Sequence, residues 1–217
     1  LNMKFIFTRS FIISFISALG FAAIAVLIGE QRIAWLDDRL ISLVQGWQSD
    51  SLTSIMKFFT FIGSGFPVVM ITAMIMIILY FGLKYRGELL FFTGVVVGSA
   101  LLNTGLKLVF HRARPTLHRI VDANGFSFPS GHSMAAFSLY GVVCFLLWKH
   151  MGNIYARAVL ILIGCSMTVT IGVSRIYLGV HYPSDVLGGF LASATWLTAA
   201  IYLYQRLLER RASSRVG

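Results

Sequence analysis

The chain has 217 residues, 57% of them apolar and 12% charged, where an ordinary soluble domain carries about 25% charged residues. That imbalance excludes a water-soluble globule. The 18 Lys and Arg against 8 Asp and Glu give a net charge of +10, but the basic residues fall in short islands between apolar runs rather than on one polar surface, so no nucleic-acid partner is expected.

Six apolar runs, 11–29, 66–83, 89–106, 133–148, 158–173 and 186–204, predict six transmembrane helices, since a bilayer core needs about 20 mostly apolar residues per helix. The fold class expected is all-α, a polytopic membrane protein read as one membrane unit over 1–217. Lys4 and Arg9 precede the first run, and Ala23-Ile24-Ala25 has the small-x-small form of a signal-peptide cleavage site. The apolar stretch continues through Ile28, beyond the roughly 7–15 residues of a signal core, and so predicts a retained helix. Residues 33–47 place Leu36, Leu40, Leu43, Val44 and Trp47 at helical spacing, with Asp37, Asp38, Arg39, Ser42 and Gln45 on other faces. This predicts an amphipathic helix in the membrane interface, anchored by Trp35 and Trp47 and packed against the bundle. In the third run, Gly94 and Gly98 form a GxxxG pattern that reads as helix packing. Cys144 and Cys165 fall inside predicted helices and read as small buried hydrophobes.

Six spans put both termini on one side, and the loops then sort by charge. One face collects ten Lys and Arg (Lys4, Arg9, Lys84, Arg86, Lys149, Arg157, Arg206, Arg210, Arg211 and Arg215) against Glu88 and Glu209, which gives +8; the other keeps +2. Basic residues near helix ends favour the cytoplasmic side, so the termini and the basic tail 205–217 are expected inside. Residues 30–65, 107–132 and 174–185 are expected outside. The tail reads as a topology anchor with some attraction for anionic lipid.

That weakly charged outer face holds the candidate chemistry. Lys107 and His111 end the third run, Arg114-Pro115 follows, Phe128-Pro129-Ser130-Gly131-His132 opens the fourth, and Ser174-Arg175, His181 and Asp185 bracket the link from fifth to sixth. Ionisable groups beside a bilayer are expensive and tend to face the bundle interior. Three cations, Lys107, Arg114 and Arg175, repel one another unless an anion joins them, and the planar fork of arginine suits phosphate oxygens. Lys107 and Arg114 are seven residues apart, which puts them on one helical face if the third helix reaches that far, although Pro115 disfavours helical geometry at Arg114. Ser130-Gly131-His132 leads into a helix whose first amides can take an anion, and Gly131 lets backbone come close to it. Asp185, four residues after His181, can accept from the histidine Nδ1–H and leave Nε2 aimed at phosphorus as the nucleophile. His132 is then the general acid for the departing oxygen. Phosphoryl transfer needs mainly positioning and charge neutralisation, which these cations can supply without a metal or other cofactor.

Lys107-x6-Arg114-Pro115, then Pro129-Ser130-Gly131-His132, then Ser174-Arg175-x5-His181-x3-Asp185 closely resembles the three-part signature of the type 2 phosphatidate phosphatase superfamily, matching all three parts in order. The resemblance implies a membrane lipid phosphatase with a six-helix core, working without metal through a phosphohistidine. Lys107, Arg114 and Arg175 would bind phosphate, Ser130 and Gly131 would add hydrogen bonds, and His132, His181 and Asp185 would be acid, nucleophile and its partner. In size the chain is similar to bacterial phosphatidylglycerophosphatase B and undecaprenyl-diphosphate phosphatase members, which implies a bacterial cell membrane, a lipid phosphate substrate and no obligate protein partner. His111, Arg112, His118, Arg119 and Asp122 lie outside the signature and read as loop or interface residues. Phe126 and Phe128 beside the site suit a substrate whose chains stay in lipid. A transporter or flippase could use the same charged cluster, but it predicts internal repeats and charges near the midplane, and the polar set here sits at one face.

Overall fold

A computed structural model describes residues 3–116 and 118–213. They form α1 (Met3–Gly29), α2 (Ala34–Gln45), α3 (Asp50–Ile62), α4 (Gly65–Ile77), α5 (Arg86–Phe110), α6 (Gly131–Trp148), α7 (Ile154–Tyr177) and α8 (Pro183–Ser213), with a π-helical turn, Ile78–Gly82, continuing α4. Among the described residues, six segments are long and apolar enough to cross a membrane: Arg9–Gly29, Gly65–Gly82, Arg86–Phe110, Gly131–Trp148, Ile154–Tyr177 and Pro183–Arg210. They coincide with the six apolar runs. Arg215 of the basic tail lies outside the described residues.

α6 sits in the middle of the bundle, packed on α5, α7 and α8, while α1 lies along α8. The core between them is Phe91, Phe92 and Val95 of α5, Leu139, Val142 and Leu146 of α6, and Leu197 of α8. The GxxxG pattern works through one glycine only. A Cβ at Gly98 would lie 2.1 Å from the Trp196 ring, whereas one at Gly94 would meet nothing. The gap at Gly98 lets the Trp196 indole N–H donate to the Val95 carbonyl at 3.0 Å. Cys144 is half-buried, but Cys165 is exposed on the outside of the bundle, against the expectation that both are buried; an apolar run does not say which of its faces meets lipid.

Between α1 and α4 the chain forms two short helices rather than the single one expected, and the second, α3, carries its own start signal. The Ser49 hydroxyl caps it by accepting the Leu52 amide at 3.3 Å, and Leu52 and Met56 pack on buried Tyr177. The Tyr177 hydroxyl meets Thr53 Oγ1 at 2.9 Å. α2 forms within the expected 33–47. Leu36, Leu43, Trp35 and Trp47 are exposed, while Ile33 and Asp37 are buried against the bundle. Part of its apolar stripe therefore faces outward, as an interfacial helix would have it, while Val44 packs against the Tyr177 cluster and a polar edge faces the protein. On that edge the Gln45 side-chain amide donates to the His118 carbonyl at 3.1 Å.

The α5–α6 connection is pinned to the α7–α8 turn at Gly179, whose φ is +73°. A Cβ there would lie 2.4 Å from the His118 carbonyl oxygen, so glycine answers both the left-handed backbone and the close approach. The Ile120 amide donates to the Leu178 carbonyl at 3.0 Å beside it.

Candidate active site

Four helix ends meet where the polar residues cluster. α5 stops at Phe110 because His111 adopts a left-handed conformation, φ +46°. Lys107 and Arg114 therefore do not share a helical face; Lys107 comes from the last turn of α5 and Arg114 from the irregular chain after it. Both nevertheless line one cavity of about 470 Å³, together with Gly131 and His132 at the start of α6, Arg175 at the end of α7, and His181 before α8. Thr60 and Ser64, from α3 and the turn into α4, also border it.

His181 is buried. Arg114 Nη1 lies 3.0 Å from its Nε2, and since a guanidinium can only donate, Nε2 must hold a lone pair and Nδ1 the proton. Nδ1 sits 3.3 Å from Asp185 Oδ2. Burial, ahead of the opposing pull of Asp185, draws the His181 pKa from 6.5 down to about 4. At neutral pH the imidazole is thus uncharged, with its lone pair on the cavity side. Arg114 is itself fixed by the carbonyls of Val180 (3.0 Å), Gly125 (3.0 Å) and Asn124 (2.9 Å), and burial lowers its pKa from the usual arginine value.

Asp185 is fully buried behind the ring. Its Oδ2 also accepts the Tyr182 amide at 2.9 Å and the Ser127 hydroxyl, and its Oδ1 accepts from Arg112 at 2.7 Å. Arg175 is 6% exposed; one nitrogen donates to the Thr60 hydroxyl, and its Nε–H has no partner among the described residues. A buried N–H left unpaired costs about 1–3 kcal/mol, so this group is set for an acceptor from outside the protein.

Ser130 plays a different part from the one expected of its side chain. It is fully buried, its hydroxyl caps α6 by accepting the Ser133 amide at 3.5 Å and also accepts the Ser133 hydroxyl at 2.9 Å, and its amide donates to the Asp185 carbonyl at 3.0 Å. It ties α6 to α8 from beneath the cavity, leaving Gly131 as the cavity-lining residue of that pair. Gly131 is held by Asn103, whose Oδ1 would lie 3.0 Å from a Cβ there and whose Nδ2 donates to the Pro129 carbonyl at 3.1 Å. Phe128 is not at the rim; it is wholly buried against Phe21 and Phe110. Phe126 stands edge-on to His111. His118 and Arg119 brace the α5–α6 connection, and exposed Asp122 borders the cavity.

Sequence reasoning missed Arg112, Asp37, Ser127, Ser184, Asn103 and Thr60. Arg112 is the most consequential, because its guanidinium joins Asp185 to Asp37 of α2 at 2.7 and 2.8 Å.

Comparison with known proteins places this geometry in a family. The chain is 46% identical over 92 residues to phosphatidylglycerophosphatase B of Bacillus subtilis, a match covering 42% of this chain and 45% of that protein; the chain thus spans about half the length of that relative. It is 26% identical over 174 residues to an undecaprenyl-diphosphatase of Sulfolobus acidocaldarius, covering 78% of each. Among solved structures, the transmembrane PAP2-type phosphatidylglycerolphosphate phosphatase of Bacillus subtilis superposes with a TM-score of 0.76 at 28% identity, covering 91% of this chain and 96% of that one. The PAP2 superfamily model matches residues 88–209, more than half of the sequence and all of the polar cluster from Lys107 to Asp185, and the chain belongs to the PAP2 superfamily.

Proposed function

We propose that this chain is an integral-membrane phosphatase that removes the terminal phosphate of a lipid phosphate or diphosphate through a phosphohistidine on His181, without a metal. The observation that carries this reading is the His181 ring, held between Asp185 and Arg114 with its Nε2 lone pair facing a cavity lined by Lys107, Arg114 and Arg175. On substrate entry the three cations and the first amides of α6 take the phosphoryl oxygens, and Arg114 passes from Nε2 to a phosphate oxygen. Nε2 attacks phosphorus; the P–N bond forms as the bond to the lipid oxygen breaks, and protonated His132 gives that oxygen its proton. Neutral His132 then takes a proton from water, whose oxygen displaces His181 and releases inorganic phosphate. Asp185 stabilises the imidazolium in between.

Phosphatidylglycerophosphate, undecaprenyl diphosphate and phosphatidate all present the group this cavity recognises, and the names of the relatives favour the first two. A site on the outer side of a bacterial plasma membrane, with cytoplasmic termini, follows from the charge sorting and suits a carrier lipid released outside as its diphosphate. Purified protein given these three lipids and a soluble phosphate ester should release phosphate from at least one lipid far faster than from the ester. EDTA should leave that rate within about twofold, because the cationic cavity already neutralises the transferred group; strict dependence on a divalent metal would overturn the metal-free step. A single cysteine placed within 118–123, in a background lacking Cys144 and Cys165, should react with an impermeant maleimide on intact cells. Labelling only after lysis would reverse the orientation.

A further inference from the structure

We propose that Arg112, held by Asp37 of the interfacial helix α2, is a positioning residue that fixes the Asp185 carboxylate and thereby sets the aim and basicity of His181. The inference rests on the reading of His181 as nucleophile.

Arg112 is engaged through both terminal nitrogens and over its face. Nη1 donates to Asp185 Oδ1 and to the Ser184 hydroxyl, both at 2.7 Å, and Nη2 donates to Asp37 Oδ2 at 2.8 Å. Its guanidinium carbon lies 4.1 Å from the centroid of the Tyr182 ring. Asp37, 1% exposed, also accepts the Ser184 amide at 2.9 Å and the Ser184 hydroxyl at 2.6 Å. It thus satisfies a first-turn amide of α8 from a different helix. Two carboxylates and one cation, all largely withdrawn from water, are brought together from α2, the α5–α6 connection and α8. Arg112 and Asp37 do not line the phosphate cavity.

The charge balance explains why Asp37 is there. Arg112 paired with Asp185 alone would cancel the negative charge that His181 needs to stabilise its imidazolium. With Asp37 taking the other edge of the guanidinium, the cluster as a whole keeps one negative charge, and Asp185 is rigidly held without being neutralised. A staple that merely joined α2 to α8 would have no need of that balance.

The two partners then have opposite effects on His181. The groups facing its ring are Asp185 of α8, Arg175 of α7, Lys107 of α5, His132 of α6 and Arg114 of the connection. Exposed Asp122 borders the same cavity. Against that unchanged background, Asp37→Asn makes the cluster neutral and His181 a weaker base, whereas Arg112→Gln makes the cluster doubly negative and His181 a stronger one. Only the neutral imidazole attacks, so the acid limb of the rate profile follows this titration.

The test measures phosphate release against pH for the full chain in mixed micelles of phosphatidylglycerophosphate, undecaprenyl diphosphate or phosphatidate, with His181→Ala as reference. Arg112→Gln and Asp37→Asn should each lower kcat by about 10–100-fold, the cost of a misplaced reacting group, while KM stays within about twofold because neither side chain touches substrate. The acid limb should move up by about one pH unit in Arg112→Gln and down by about one in Asp37→Asn, the size expected for a charge removed at this range. Arg112→Lys keeps the charge without the fork and should lose rate with the limb unmoved. If Arg112→Gln fails to fold, the downward limb of Asp37→Asn carries the inference, and an unmoved limb in that variant overturns it. A rise in KM at unchanged kcat also overturns it, since Arg112 would then be contacting substrate. Turnover surviving in His181→Ala, or a wild type inactive on all three lipids, overturns the proposed function and this inference with it.

Discussion

His181→Ala should release no measurable phosphate, a loss of about 10⁴-fold or more, the scale on which removing a nucleophile from a coupled catalytic unit acts. Among the neighbouring hydroxyls, Ser127 is turned toward Asp185 and Thr60 accepts from Arg175, and in the proposed mechanism His132, on α6, is the proton donor. The variant should still fold, because Asp185 keeps Arg112, Ser127 and the Tyr182 amide as partners. Wild-type activity should persist well below neutral pH, since burial holds His181 near pKa 4 and it stays unprotonated until the pH falls to that value. Near-normal turnover in His181→Ala, in protein with unchanged thermal stability, would remove the nucleophile assignment.

Arg175→Ala should cost about 10³–10⁵ in kcat/KM, the range over which an arginine acts on a transferring phosphoryl group. Its side chain is 6% exposed at the end of α7, with one nitrogen on Thr60 and Nε without a hydrogen-bond partner among the described residues. In the proposed mechanism the substrate's phosphate is the acceptor. Arg175→Lys should recover little, as an ammonium cannot reproduce the guanidinium fork. Inorganic phosphate should raise the Tm of the wild type, since a ligand that binds only the folded state stabilises it, and should leave that of Arg175→Ala unchanged. Wild-type kcat/KM in Arg175→Ala would show that the guanidinium never meets the phosphoryl group.

The spans were legible because a bilayer tolerates no unpaired backbone and demands long uninterrupted apolar runs. The cavity set was legible because the chemistry of phosphate requires cations and histidines, and a membrane protein places few of these without cause. Lys107, Arg114, Gly131, His132, Arg175 and His181 all border one cavity. Asp185 stands behind His181, and Ser130 beneath as a cap. Arg112 was not legible, because a basic residue two positions before Arg114 in a charged loop carries no sign of its partners. Asp37 lies 75 residues before it and Asp185 73 after it, and neither separation is a helical or strand period. One signal was present in α2. Asp37 falls four residues after Ile33, and the two are the buried residues at this end of the helix beside exposed Leu36. The apolar pattern of α2 drew attention to its leucines and tryptophans and left Asp37 as a polar residue on another face. The second short helix was hidden for a related reason: Phe58 and Phe61 of α3 are exposed, so its apolar pattern matches neither a span nor a core helix.

The covalent intermediate is the point on which the account stands. Purified protein mixed with a lipid carrying radiolabelled terminal phosphate, and quenched in alkaline detergent at successive times, should carry label on the chain that survives base, is released by acid, and is absent from His181→Ala. Label that persists in His181→Ala, or rapid turnover with no labelled protein at any quench time, would contradict a phosphohistidine on His181.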